Sequence, residues 1–176
     1  MNNINTWLTN LNQLKLPLWQ DLPEITLYLD QVLEYVNSYL DQLLVTTLKK
    51  EKIITASMIN NYVKQGIIKA PDKKRYGKHQ IAIIIMVGIL KQVLTIASLK
   101  SYFQSISNET QLEIIYDSFV SELKTALLDI NTSFQSEADN LELLPMNLAT
   151  TAMANKIMAE YLFDQPDLKL KKAKGD

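Results

Sequence analysis

One side of a short predicted helix over residues 56–65 carries hydrogen-bonding side chains and no acid. Met58, Ile59, Tyr62 and Val63 recur at helical spacing and predict the buried side. The other side holds a hydroxyl, amides and an ammonium: Ser57, Asn60, Asn61, Lys64 and Gln65. Amide side chains pair with the adenine edge through two hydrogen bonds, and lysine reaches guanine or phosphate. The pattern favours a recognition helix in the major groove of DNA, with ordinary polar surface as the alternative.

A basic loop at residues 69–78 follows this helix. Residues 49–79 hold eight lysines and one arginine against two acids, whereas the whole chain has 18 basic and 19 acidic residues. Such a concentrated basic segment is the electrostatic footprint of a protein that binds a phosphate backbone. The candidate contacts are Lys73, Lys74, Arg75, Tyr76 and Lys78. A solvated basic surface, with Tyr76 packed beneath it, is the alternative interpretation.

The composition argues against an enzyme. The chain has no cysteine, which excludes disulfides, thiol catalysis and cysteine-ligated zinc. Its single histidine, His79, makes a histidine-based metal site or a catalytic triad hard to build. No nucleophile–base pair and no phosphate-binding glycine loop is visible. We therefore expect no enzymatic activity, no cofactor and no metal.

The spacing of apolar residues predicts an all-α fold. A chain of 176 residues, 47% of them apolar and only four of them glycine, suits about one helical domain with a sizeable core. The segment LPLWQDLP is expected to dock on the domain as an arm, and residues 67–76 to form either a small hairpin or a simple loop. Thr55 is the expected N-cap of the short helix, and Gly66 its stop. Helices are predicted over residues 24–48, 56–65, 79–94 and 95–103, for about 30 residues from 109, and over 146–163.

The most apolar stretch, IAIIIMVGIL at residues 81–90, is too short to cross a membrane. A spanning helix needs about 20 apolar residues, so this one is expected to be the central helix of the core. The N-terminus lacks the features of a signal peptide. A cytoplasmic protein with no membrane partner is the expectation.

Residues Ile54–Phe103 resemble the winged helix–turn–helix of MerR-type regulators. In that family the recognition helix ends in a tyrosine, polar residues, a glycine and a leucine pair, which correspond here to Tyr62, Gly66 and Ile67-Ile68. A small wing then closes on an arginine–tyrosine element, which is Arg75-Tyr76 in this chain. Where the family carries an arginine and an aromatic residue on that helix, this chain has Asn60 and Asn61. The cysteines used for mercury or copper sensing are absent.

A closer resemblance, over about residues 16–105, is to an uncharacterised bacterial family known as domain-of-unknown-function family 1836. Its recurring motifs are matched in order by LPLWQDLP, LYLDQV, MINNYVKQGII, KKRYGKHQIA and LKQVLTI. This resemblance implies a MerR-like DNA-binding domain over residues 1–105. A helical dimerisation or effector region would follow at 106–165, and a basic flexible tail at 166–176.

The expected function is that of a DNA-binding transcriptional regulator. A homodimer would place two recognition helices in successive major grooves of double-stranded DNA, under the control of an unknown small-molecule or protein effector. The stripe Leu112, Tyr116, Phe119, Leu123, Ala126 and Ile130 is typical of a helix seam, either within one chain or between two. An apolar ligand pocket among Tyr116, Phe119, Met153 and Tyr161 is set against a plain core. The alternative function is a protein–protein interaction module that has kept the scaffold and lost DNA binding.

Overall fold

The computed structural model describes residues 8–9, 15–43, 53–106, 108–136 and 142–165, and this part of the chain is mostly helical. The predicted all-α fold is thereby confirmed. The lysine-rich residues 49–52 and the predicted tail at 166–176 lie outside the described residues. The elements are a 3₁₀ turn (Trp19–Asp21), β1 (Leu27–Tyr28), α1 (Leu29–Leu43), α2 (Ala56–Lys64), β2 (Arg75–Tyr76), α3 (Lys78–Leu90), α4 (Ile96–Ser105), α5 (Glu109–Ser136) and α6 (Leu144–Asp164).

Helix α3 is the centre of the core, as its composition predicts. Every side chain from Ile81 to Val87 is buried, because a helix that is apolar all round must be covered on every side. Helix α1 crosses α3 closely at Gly88, where an added Cβ would lie 2.7 Å from Leu40 Cδ1. The expected arm also docks on this core: Trp19 and Leu22 are buried, and the Trp19 ring meets Tyr116 of α5 edge-on at 6.2 Å.

The boundaries of α2 are those predicted from its capping residues. The Thr55 side chain accepts a hydrogen bond from the Met58 N–H, as an N-cap does. At the other end Gly66 has a φ of +74°, and the Ile67 N–H returns to the Tyr62 carbonyl at 2.9 Å. That pairing is a Schellman stop, which places a glycine in the left-handed region after the last helical turn. Local chemistry therefore sets both ends of this helix.

Two predicted helix boundaries are wrong: the start of α1, where a small sheet intervenes, and the end of α3, where a turn follows. The helix expected over 24–48 begins only at Leu29, since Leu27 and Tyr28 pair antiparallel with Tyr76 and Arg75. The segment 67–76 folds back on itself through an isolated antiparallel bridge between Asp72 and Arg75, as a small hairpin does, and its strand β2 pairs with β1, which precedes α1. Helix α3 ends at Leu90 rather than at 94, because residues 91–94 turn before the Thr95 N-cap of α4.

The last two helices are covered unequally. In the first half of α5, Leu112 and Tyr116 of the predicted stripe belong to the same core cluster as α3, and Phe119 packs against it, so this half of the stripe packs within the chain. Helix α6 packs on α4, with the Phe163 and Tyr102 rings 4.8 Å apart. Its residues 145–155 are all exposed. Among the described residues, no helix is both long and apolar enough to span a membrane.

Candidate nucleic-acid interface

The polar side of α2 faces outward, as predicted. Ser57, Asn60, Asn61 and Lys64 are all exposed, whereas Ile59 and Tyr62 on the opposite side are buried. The remaining polar residue, Gln65, is exposed too and donates from Nε2 to Asn61 Oδ1 at 3.2 Å. No acid lies on this helix. The α2 face, defined as Ser57, Asn60, Asn61, Lys64 and Gln65, therefore presents donors, acceptors and one cation to solvent.

A buried asparagine holds the chain that leads into α2. Asn37 of α1, which is 5% exposed, donates from Nδ2 to the Ile54 carbonyl at 2.9 Å. Its Oδ1 accepts from the Ile54 N–H at 3.1 Å. Ile54 immediately precedes the N-cap residue, so this pair of hydrogen bonds positions the first turn of α2 against α1. Because an unpaired buried backbone group costs free energy, the Asn37 side chain stabilises the fold at this point.

A half-buried lysine ties the same segment to the end of α3. Lys91 Nζ donates to the Ile53 carbonyl at 2.7 Å and lies 3.4 Å from Met58 Sδ. Burial lowers the pKa of Lys91 below its usual value, because a charged ammonium loses hydration there. Helix α2 is thus held from both α1 and α3, and its outward face is presented by a rigid support.

Two glutamines organise the segment that joins α2 to β2. Gln104 of α4 donates from Nε2 to the Gly66 carbonyl at 3.0 Å, directly after the helix stop. Gln80 of α3 donates to the carbonyls of Lys69 and Ala70 at 3.1 and 3.2 Å, and its Oε1 accepts from the Gly77 N–H. The basic loop is therefore anchored by amide side chains at both of its ends.

The tip of the loop is a tight turn made of two lysines. Lys73 and Lys74 have φ values of +44° and +66°, and the Arg75 N–H closes the turn on the Asp72 carbonyl at 2.8 Å. Two successive positive φ values are typical of a type I′ turn, which usually contains asparagine or glycine. A side chain with a Cβ costs roughly 1–2 kcal/mol in this conformation. This turn places the exposed ammonium groups of Lys73 and Lys74 directly before β2.

Arg75 is held by an aromatic residue across the sheet. Its guanidinium carbon lies 4.5 Å from the ring centroid of Tyr28, its partner in register, and Nη2 donates to Tyr28 Oη at 2.9 Å. A guanidinium has five N–H donors, so this contact orients the group and leaves donors for an anion. We define the basic turn as Lys73, Lys74 and Arg75, all of which are exposed.

The structure removes two predicted contacts from this surface. Tyr76 is 3% exposed, so its side chain packs in the core and does not face a ligand. The Lys78 side chain is 14% exposed, forms an ion pair with Glu24 and lies 5.4 Å above the Trp19 ring. Its charge is already compensated, which makes Lys78 a structural contact of the arm. Both corrections arise from residues distant in sequence that pack on β2 and on the start of α3.

Four residues that build this surface were not identified from the sequence: Tyr28, Asn37, Gln80 and Gln104. The apolar spacing predicts a helix at Tyr28, and the strand that it forms is only two residues long. An asparagine or glutamine in an amphipathic helix is normally solvated, so a single sequence has no signal that distinguishes a buried anchor. The exposed aromatic Tyr28, which is 45% accessible, adds a stacking surface beside the basic turn.

The remaining titratable and aromatic groups lie outside the α2 face and the basic turn. No three His, Cys, Asp or Glu side chains converge there as metal ligands would. His79 is half-buried at the start of α3, and burial lowers its pKa, with Lys69 acting in the same direction and Glu109 against it. Tyr116, Phe119, Met153 and Tyr161 form neither the apolar pocket nor the plain core set against it: Tyr116 is fully buried, whereas Met153 and Tyr161 are exposed. Phe119 instead lines a groove of about 340 Å³ with Tyr102 and Phe163.

Comparison with known families matches residues 17–119 to a domain of unknown function, DUF1836. The chain belongs to this family. The DUF1836 match contains every element from the 3₁₀ turn to α4 and the start of α5, and it therefore includes the α2 face and the basic turn. Helix α6 lies beyond the match. No curated protein and no solved structure matches the chain.

Proposed function

We propose that this DUF1836 protein is a DNA-binding transcriptional regulator with a MerR-like winged helix–turn–helix. The observation that carries the proposal is the pairing of the acid-free, exposed α2 face with a basic turn on the segment that directly follows it. In this proposal α1 and α2 form the helix–turn–helix, and the β1–β2 sheet with its turn serves as the wing. Asn60 and Asn61 read base edges, and Lys64 contacts guanine or phosphate.

The basic turn supplies the sequence-independent part of the binding. Lys73, Lys74 and Arg75 are exposed, and Arg75 is oriented by Tyr28. Backbone contacts of this kind position a protein on the duplex without reading its sequence. The ordered turn keeps the three cations together, which reduces the conformational entropy that they lose on binding phosphates. Asn37 and Lys91 hold α2 in place, which likewise reduces the conformational entropy that this helix loses on binding DNA.

The experiment measures binding to a pool of random duplex DNA by fluorescence anisotropy, over roughly 50 to 200 mM salt. The test variant is Lys73→Ala/Lys74→Ala/Arg75→Ala. A matched control, Lys100→Ala/Lys124→Ala/Lys156→Ala, removes the same charge from helices outside the proposed interface. If the turn contacts three phosphates, its loss makes the slope of log Kobs against log salt shallower by about 2.7. The control is expected to keep the wild-type slope.

Base reading is tested separately once a preferred site has been selected. Asn60→Ala and Asn61→Ala are expected to lower the preference for that site over random DNA, at about 1–3 kcal/mol per lost bidentate contact. Their salt slope is expected to stay unchanged, because neither residue carries charge. Equal slopes for the turn variant and its control would contradict the phosphate contacts, and an unchanged site preference would contradict base reading by α2.

The alternative function is a protein–protein interaction module on the same scaffold. The observation that favours it is the exposed apolar surface of α6, where Met146, Met153 and Tyr161 are each more than half exposed. Absence of DNA binding by the folded protein at the lowest salt would favour this alternative over the regulator.

A further inference from the structure

We infer that the cleft between the N-terminal arm and α5 binds a fatty carboxylate, an aliphatic chain that ends in one negative charge. The cleft has a volume of about 480 Å³, which falls within the roughly 300–1,000 Å³ of small-molecule sites. We call it the arm cleft, formed by residues 15–18 and Asp21 on one side, Tyr39 of α1, and side chains from residues 120–128 of α5 on the other. It lies outside the α2 face and the basic turn, so this site goes beyond the proposed function and does not depend on it.

The wall formed by the arm is fixed in place on α5. The Trp19 N–H donates to Asp117 Oδ1 at 2.7 Å, and the Trp19 ring packs edge-on against Tyr116. Tyr116 and Asp117 lie one helical turn before Val120, the first residue of α5 that lines the cleft. These contacts hold the two walls together, so a ligand meets a largely preformed site.

Most of the arm cleft is lined by apolar side chains. Leu16 and Leu18 come from the arm, and Val120, Leu123 and Leu127 come from α5. Val120 is buried, whereas Leu18 is 39% exposed, so the apolar lining extends from the core to solvent. An aliphatic chain in the cleft would cover this lining, and each methylene that it buries tightens binding about fourfold.

The two ammonium groups on the cleft come from segments that are otherwise acidic. Lys15 is the only basic residue among residues 1–48, which also hold five acids. Lys124 is the only basic residue of α5, which likewise holds five acids. Both lysines line the same cleft, one on each wall. An anion between them is attracted by both charges, whereas a cation is repelled by both.

Lys124 lies within the apolar side of α5 that faces the cleft. It follows Val120 by four residues and precedes Leu128 by four, so the three side chains share one face of the helix. Within the described part of the chain, neither Lys124 nor Lys15 forms an ion pair. Their charges are therefore available to a ligand.

Asp21 is the one acid that lines the arm cleft, and it takes part in the local fold of the arm. Its Oδ2 accepts a hydrogen bond from the Leu18 N–H at 3.3 Å, across the 3₁₀ turn. The cleft therefore holds two positive side chains against one negative side chain. Together with the apolar lining, this balance favours an amphiphile with a single negative charge over a cationic one.

Calorimetric titration of the full chain with decanoate tests this inference, at concentrations below those at which the amphiphile forms micelles. One decanoate is expected to bind per chain. Decyltrimethylammonium has the same alkyl chain and the opposite charge, and is expected to bind roughly 10-fold more weakly or less. Octanoate lacks two methylenes and is expected to bind about 15-fold more weakly. Acetate, which has no alkyl chain, is expected not to bind.

Removing the two ammonium groups tests the charge contacts. Lys15→Ala/Lys124→Ala is expected to weaken decanoate binding by about 2- to 30-fold, the range for two exposed ion pairs. It is not expected to weaken binding of decyltrimethylammonium. The matched control Lys100→Ala/Lys156→Ala removes the same charge from α4 and α6, and is expected to bind decanoate as the wild type does.

Filling the cleft tests its location. Leu127→Trp enlarges a side chain of the cleft wall and is expected to weaken decanoate binding about fivefold or more. The control Leu162→Trp adds the same ring to α6, where Leu162 is 41% exposed, and is expected to leave binding unchanged. A decanoate that carries a photoreactive diazirine at its chain end locates the site without any variant. Its adducts are expected on residues 15–21 and 120–128.

Absence of decanoate binding up to about 1 mM would overturn the inference, as would equal affinities for decanoate and decyltrimethylammonium. Equal binding by Lys15→Ala/Lys124→Ala and its control would overturn the charge contacts. Unchanged binding by Leu127→Trp, or adducts mainly on the exposed apolar residues of α6, would overturn the arm cleft as the site. None of these measurements involves DNA, so a failed ligand site and a failed DNA contact are distinguishable.

Discussion

Replacing Asn37 by alanine is expected to destabilise the fold through the entry to α2. The side chain is 5% exposed and satisfies both backbone groups of Ile54, which is itself fully buried. In Asn37→Ala, the Ile54 N–H and carbonyl both lose their partner inside the core. Each buried unsatisfied group costs about 1–3 kcal/mol, and alanine returns roughly 0.5 kcal/mol as the better helix former. The expected net loss of unfolding free energy is about 1.5–5.5 kcal/mol.

Urea denaturation followed by circular dichroism measures this loss directly. For a chain of this size each kcal/mol corresponds to about 2–4 °C, so a fall in Tm of roughly 3–22 °C is expected in a parallel thermal experiment. The matched control is Asn60→Ala, which removes an exposed asparagine from α2. Its expected effect is within about 0.5 kcal/mol, as for most surface substitutions.

The two variants also separate folding from recognition. At a temperature where both are folded, Asn60→Ala is expected to lose site preference on DNA, whereas Asn37→Ala alters stability first. A cost below about 1 kcal/mol for Asn37→Ala, with an unchanged m-value, would refute the reasoning. It would mean that the Ile54 backbone does not depend on this side chain for its hydrogen bonds.

Three further changes probe the core. Gly88→Ala is expected to cost about 1–2 kcal/mol in a urea melt, because its Cβ would lie 2.7 Å from Leu40 Cδ1 and 3.2 Å from Ile54 in a crossing that is fully buried; a gain of stability from helix propensity would contradict this. Tyr116→Phe is expected to keep or raise stability by about 1 kcal/mol, because the buried hydroxyl has no partner among the described residues; a loss above about 1 kcal/mol would show that the hydroxyl is bonded. Burial lowers the pKa of His79 below 6.5. As the pH falls through 6.5 and below, the unfolded chain therefore binds more protons at this residue than the folded chain does, and the free energy of unfolding decreases. His79→Gln is expected to show a smaller drop in urea midpoint between about pH 7.5 and 5.5 than wild type, and equal drops would contradict the assignment.

Helix α2 and the central helix α3 were predictable because their signals are local. Thr55 and Gly66 cap α2 through bonds to residues within one turn, and alternation of apolar and polar residues separates its two sides. The continuous apolar run from Ile81 to Val87 admits only a buried element. Neither prediction depends on where the rest of the chain lies.

The sheet and the anchors were not predictable for the opposite reason. Tyr28 and Arg75 are 47 positions apart, and a two-residue strand has too short a pattern to be recognised beside an amphipathic helix. Asn37 reads as a solvated residue on that helix, and only its packing against Ile54 reveals a buried hydrogen-bonding role. A residue's partner across such distances depends on how the elements pack, which a single sequence does not encode as a pattern.

The same distinction applies to the candidate interface. A capped amphipathic helix before a strongly basic loop is predictable from the amino-acid sequence, because propensity, capping and charge are properties of neighbouring residues. Which of those basic and aromatic residues are accessible depends on the folded chain. Lys73, Lys74 and Arg75 are exposed on a strained turn, whereas Tyr76 enters the core and Lys78 pairs with Glu24, 54 positions away. The burial and the charge compensation of a side chain depend on the residues that pack against it. Those residues come from segments distant in the sequence, so their positions follow from the tertiary packing.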